Sequence, residues 1–153
     1  MQAIDKVTAY LDEHGTTYSI SQHPPFSNTE EAAQEAHVAM EQGAKSMLFK
    51  SIGEYVLAVL PATERVSYKK LRGALHTKSL RLATPEEVLA TMECEVGTCH
   101  PFGNLLGIQT ICDPSMADNE TIVFNAGLRT QSISITYTDY EAAVQPLIAD
   151  IKA

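Results

Sequence analysis

The sequence predicts an α+β fold of the broad α/β type, a mixed β-sheet with helices packed against it. Three observations carry this. Helical and strand-like stretches alternate along the chain without a strict βαβ rhythm, so an all-parallel, doubly wound sheet is not expected. Two apolar runs, 45–52 and 55–60, flank Gly53-Glu54 in the pattern of an antiparallel hairpin. Helix-start signals recur between the strands, as at Thr84-Pro85-Glu86-Glu87, where a cap, a proline at the first helical position and a closing glutamate coincide.

The elements follow in order. Residues 3–14 place Ile4, Val7 and Leu11 on one helical face, and Gly15 ends the helix. Residues 18–23 alternate as a short strand and run into Pro24-Pro25, which no strand interior tolerates. Ser27 and Glu30 have capping-box spacing ahead of the alanine-rich run 32–36, which predicts a second helix. After the hairpin, Pro61 ends the apolar run, 67–75 reads as a short helix and 79–82 as a short strand. Residues 94–107 hold three glycines and a proline and read as an irregular loop. Three strands follow, 109–113, 121–125 and 132–137, the last two joined around Gly127. Thr138 and Glu141 are spaced to cap a final helix, with Pro146 as a kink. No repeat, low-complexity tract or Pro/Gly/Ser-rich linker interrupts the 153 residues, so one domain over 1–153 is expected.

Composition excludes several classes. A chain that is 44% hydrophobic and 20% charged is ordinary for a soluble globular protein, and no run approaches the ~20 apolar residues of a membrane helix. The amino terminus carries charges where a signal peptide has its apolar core. Cys94, Cys99 and Cys112 are odd in number and lack CxxC spacing, which argues against a disulfide framework and suits a reducing, cytoplasmic location. The net charge of −8 is unlike that of a free nucleic-acid binder. Positive charge does concentrate at Lys45, Lys50, Arg65, Lys69, Lys70, Arg72, Lys78 and Arg81, either as a solvated face or as a local RNA contact.

The common catalytic constellations are missing. There is no GxSxG elbow, no HExxH and no P-loop. Cys94, Cys99 and His100 have the wrong spacing for a zinc knuckle, so no metal is expected, and no cofactor. Cys99 reads either as a nucleophile or as a small buried hydrophobe; adjacent His100 would point away from it in extended backbone. His23 reads as a solvated histidine. What remains is a combination. Lys45 opens an apolar strand, and Gly97-Thr98-Cys99-His100-Pro101, followed by Phe102-Gly103, forms a glycine-bounded loop. Backbone N–H groups of such a loop can hold a carbonyl or developing oxyanion without any particular side chain. The plainer alternative is a turn and a surface lysine.

These segments, in this order, resemble the YbaK/EbsC family, which also includes the editing domain inserted into bacterial prolyl-tRNA synthetases. The resemblance rests on His23-Pro24-Pro25 leading to Thr29-Glu30-Glu31-Ala32-Ala33, on Ala44-Lys45-Ser46-Met47-Leu48-Phe49-Lys50, and on Val56-Leu57-Ala58-Val59-Leu60-Pro61. It continues through Arg81-Leu82-Ala83-Thr84-Pro85-Glu86-Glu87, the GxxxP loop Gly97–Pro101, and Phe124-Asn125-Ala126-Gly127. It implies a partly closed barrel with surrounding helices and an aminoacyl-tRNA deacylase that edits in trans, alone or with an aminoacyl-tRNA synthetase as partner.

By the same resemblance, Lys45 anchors the 3′ end of the tRNA, and the loop Gly97, Thr98, Cys99, His100, Pro101 holds the aminoacyl carbonyl. Phe102, Gly103, Asn125 and Gly127 line the substrate side, and water assisted by the ribose hydroxyl attacks the ester. Asn125 stands where a serine is common in the family, which leaves alanine, cysteine and serine open as the amino acid removed. Asn125 would either hydrogen-bond the substrate or satisfy strand-end backbone. The rival function is a non-catalytic module of the same fold that binds tRNA or a synthetase. A small-molecule ester or nucleotide hydrolase is the weaker third reading, because nothing in the sequence cradles a triphosphate.

Overall fold

The computed structural model describes residues 2–25 and 42–153. The helix predicted at 27–36 lies outside the described residues. Helix α1 (Ala3–Glu13) buries Ala3, Ile4, Val7 and Leu11, the predicted face, and leads to strand β1 (Ser19–Gln22). Strands β2 (Ala44–Ser51) and β3 (Glu54–Pro61) form the expected hairpin, with Ser51 opposite Glu54. That register makes Ile52-Gly53 the turn, one residue earlier than the sequence pattern suggests. Both turn residues take positive φ, 48° and 81°, as a two-residue turn matched to the twist of its strands requires. Helix α2 (Tyr68–Leu75) is capped by Ser67, β4 (Arg81–Leu82) is a short edge strand, and α3 (Pro85–Met92) starts at the predicted Thr84–Glu87 capping box.

A 3₁₀ turn (Gly103–Leu106) lies inside the predicted loop, followed by β5 (Gln109–Cys112) and a second 3₁₀ turn (Pro114–Asp118). Strands β6 (Thr121–Asn125) and β7 (Gln131–Thr136) pair antiparallel, and helix α4 (Tyr137–Val144) follows β7 directly. Its cap is therefore Thr136, the last extended residue, whose hydroxyl accepts from the Asp139 N–H at 3.1 Å; the expected Thr138–Glu141 box does not form. Pro146 lies beyond the helix rather than kinking it, because Gln145 turns left-handed and closes the helix at Val144. Strand β8 (Leu147–Ile148) completes the described elements.

The strands form two sheets. One is mixed, in the order β4-β2-β3-β5-β8, with β3–β5 and β5–β8 parallel; the other, β1-β7-β6, is antiparallel. A parallel bridge between Gly43 and Val123 joins them, and among the described residues they do not close into a barrel. Strand alternation divides the core. Leu57, Val59 and Cys112 face a large cluster with α1, α3, α4, β6 and β7, whereas Val56, Ala58 and Ile111 face a small one with Leu71 of α2 and Ile151. Phe102 sits inside the larger cluster with its ring 5.5 Å from both Phe124 and Tyr140. Full burial of such a ring contributes about 2–3 kcal/mol, enough to fix the loop that carries it.

Candidate active site

Lys45 owes its place to the junction of the two sheets. The Gly43–Val123 bridge sets β2 beside β6, and the next residues, Ala44 and Phe124, both face the large core cluster. Alternation then puts Lys45 and Asn125 together on the opposite face. Lys45 is half-buried, and burial holds its pKa below the usual lysine range. The nearby Arg65 charge adds to that depression, and Glu64 opposes it.

The 97–101 loop is packed into the body of the protein beyond its first residue. Gly97 is exposed, whereas every residue from Thr98 to Gly103 is buried. The Thr98 hydroxyl donates to the Glu95 carbonyl at 2.7 Å, and the Thr98 carbonyl accepts from the Gly127 N–H at 2.7 Å. Buried His100 accepts the Phe102 N–H on Nδ1 at 3.1 Å; burial, with a smaller effect of Lys6, lowers its pKa to about 4, so it is a neutral structural ring. The Pro101 carbonyl accepts from the Tyr140 hydroxyl at 2.8 Å. Among the described residues, the N–H groups of Cys99 and His100 meet no acceptor. Phe102 and Gly103 are turned to the core: Phe102 is fully buried, and a Cβ on Gly103 would lie 2.3 Å from Thr110 Oγ1.

Asn125 resolves the two uses left open for it. Its Nδ2 donates to the carbonyls of Leu128 and Gln131, each at 3.1 Å, and so closes the β6–β7 turn. That fixes the amide orientation and commits both Nδ2 hydrogens, so Oδ1 is the atom left to accept. Directly across the strand pair stands Ser132, whose hydroxyl is 2.8 Å from His23 Nε2. His23 Nδ1 faces the Pro24 carbonyl at 2.9 Å, and because that oxygen only accepts, Nδ1 is the donor of that bond. Sequence reasoning missed both residues. They are 109 positions apart, and only the β1–β7 pairing, Ser21 opposite Ser132, brings them together.

The remaining expectations are placed as follows. Cys99 contacts Cys94, with sulfurs 2.7 Å apart, and makes no pair with His100, so no thiol–imidazole nucleophile forms there. No cluster of three metal-capable side chains occurs among the described residues. No helix among the described residues is long and apolar enough to cross a membrane. Part of the basic run is spent internally: Lys50 and Arg81 both reach Glu87, and Lys70 reaches Asp150.

Residues 23–143 match the model of the aminoacyl-tRNA editing domain, which defines the class: hydrolases that cleave the ester linking an amino acid to tRNA. The chain belongs to that family, on its YbaK-like deacylase branch. It is 27% identical over 154 residues to the "Multifunctional Ser/Thr-tRNA deacylase ProXp-y" of Escherichia coli K12, covering 96% of this chain and 91% of that one. It is 34% identical over 92 residues to the proline–tRNA ligase of a Geobacillus species, a match spanning 60% of this chain and 16% of the ligase. The fold agrees with a solved structure whose description proposes a trans-editing enzyme for prolyl tRNA synthetase, at a TM-score of 0.90 and 21% identity, covering 100% of this chain and 98% of that one.

Proposed function

We propose that this aminoacyl-tRNA deacylase works in trans on tRNA wrongly charged with a small amino acid, and that serine is preferred among alanine, cysteine and serine. The observation that carries the choice is the fixed amide of Asn125, which offers an oxygen and no hydrogen to its neighbour. An acceptor held in place by two backbone carbonyls rewards a substrate hydroxyl and gives nothing to a methyl group. The E. coli relative, named for Ser/Thr-tRNA, supports the same direction.

In this reading the Lys45 ammonium binds the 3′-terminal phosphate or ribose oxygens as a point charge. The N–H groups of Cys99 and His100 receive the ester carbonyl and the oxyanion that develops from it. A water, oriented by the substrate's own ribose hydroxyl, attacks the carbonyl carbon; the C–O bond to the ribose breaks, and the amino acid leaves as its carboxylate. No side chain acts as nucleophile, and the rate comes from positioning and charge stabilisation. The pocket discriminates by size against larger residues and by hydrogen bonding within the small ones.

The test is deacylation of tRNAs charged with serine, threonine, alanine or cysteine by the wild-type chain and by Lys45→Ala. Lys45-dependent loss of the seryl ester, faster than loss of the alanyl ester, is expected. Equal turnover of seryl and alanyl esters would remove the role of Asn125. Absence of turnover on every ester, with a synthetase present, would leave a tRNA- or synthetase-binding module.

A further inference from the structure

We propose that Cys94 and Cys99 form an oxidation site, a thiol pair that closes to a reversible disulfide across the base of the 97–101 loop. The two sulfurs lie 2.7 Å apart, in direct contact, so a bond between them can form with little movement of either side chain. Both are free thiols and both side chains are buried, yet the turn between them, Glu95, Val96 and Gly97, is exposed. The pair therefore lies just beneath the surface, reachable by a small oxidant such as hydrogen peroxide.

The proton distribution favours one sulfur as the attacker. The hydrogen bond from Cys99 stabilises the Cys94 thiolate and lowers its pKa, against the opposing effect of burial, while the same contact and burial raise that of Cys99. The Cys94 thiolate attacks one peroxide oxygen, the O–O bond breaks, and the departing hydroxide takes a proton and leaves as water. The Cys99 sulfur then attacks the sulfenic sulfur, the S–O bond breaks, and the hydroxide released takes the Cys99 proton as a second water. Two electrons leave the pair of sulfurs and reduce one peroxide. Cys112 is the internal control: it is fully buried, its pKa is pushed up to about 12 mainly by burial, and its sulfur sits by its neighbour's carbonyl.

The consequence for activity rests on the loop's assignment to the carbonyl-binding site. Closing the sulfurs pulls on Cys99, whose N–H is one of the two donors assigned to the oxyanion, so oxidation should slow deacylation. The experiment treats the wild-type chain, Cys94→Ser and Cys112→Ser with hydrogen peroxide, then with dithiothreitol. Intact mass and alkylation count the thiols, and seryl-tRNA turnover is followed in parallel. The expected result is loss of two hydrogens and two alkylatable thiols in wild type and Cys112→Ser but not in Cys94→Ser. Turnover should fall by about fivefold or more and recover on reduction, in line with the sensitivity of catalysis to sub-ångström misplacement. Retention of all three thiols under peroxide, or a bond to Cys112 instead, overturns the site. A disulfide that leaves turnover unchanged overturns its link to the loop. If the reduced protein deacylates nothing, the functional reading fails, while mass and thiol counts still decide the oxidation site.

Discussion

The Gly127 N–H donates to the Thr98 carbonyl at 2.7 Å, and this single bond ties the 97–101 loop to the turn that carries Asn125. Two segments with no sequence relation are thereby held as one wall. Gly127 makes the bond with φ of +92°, a region closed to most L side chains, and a Cβ there would lie 3.2 Å from that of Ala3. Gly127→Ala should lower stability by about 1–3 kcal/mol. Seryl-tRNA turnover, measured well below the melting temperature, should fall further than the unfolded fraction explains. A variant as active as wild type would show that the loop keeps its place without this tie.

His100 makes an acid-stability prediction. Burial lowers its folded-state pKa to about 4, against ~6.5 for an unfolded histidine, so the unfolded chain binds this proton more readily. Its contribution is complete above pH ~6.5 and is lost as pH falls toward 4, by about 3 kcal/mol in all. Asn in its place keeps an acceptor for the Phe102 N–H and does not titrate. Urea denaturation between pH 7 and 4 should therefore show a steeper decline in wild type than in His100→Asn; parallel curves would refute the assignment.

Gly103 is required for close approach. A Cβ there would meet Thr110 Oγ1 at 2.3 Å and the Ile108 carbonyl oxygen at 2.8 Å. Thr110 is buried, and among the described residues its hydroxyl has no partner to compensate a shift. Gly103→Ala should cost about 1–3 kcal/mol in thermal unfolding, as overpacking does. Adding Thr110→Ala should recover only part of it, because the Ile108 carbonyl stays; full recovery would mean that the backbone contact is slack.

Asp113 holds the end of the chain. Oδ2 accepts the N–H groups of Ile151 and Lys152 at 2.9 and 3.1 Å, and Oδ1 accepts the N–H and hydroxyl of Ser115. Burial raises its pKa, but these hydrogen bonds outweigh burial and leave it lowered overall. Asp113→Asn removes the charge that strengthens them and should destabilise by about 2 kcal/mol. Hydrogen exchange should accelerate first at 147–153; protection unchanged there would refute the anchoring role. Because the depressed carboxyl favours folding when ionised, wild type should lose this advantage below pH ~4.

The sequence by itself determined the local elements. Helix α1, the β2–β3 hairpin, the Thr84 box and β6 lie where periodicity and capping chemistry put them, because those signals act within a few residues. The hairpin turn and the cap of α4 each shifted by one or two positions, since strand pairing chooses which residue is last extended. Tertiary structure alone decided the site's composition. Lys45 and Asn125 lie on neighbouring strands only because a parallel bridge joins two sheets, and His23 meets Ser132 only through β1–β7 pairing. It also decided which way the loop faces. Residue types in the 97–103 run are compatible with either side, and it is the burial of Phe102 between Phe124 and Tyr140 that holds the run against the core. Local signals cannot carry that information, because the free energy that fixes it comes from contacts far apart in the chain.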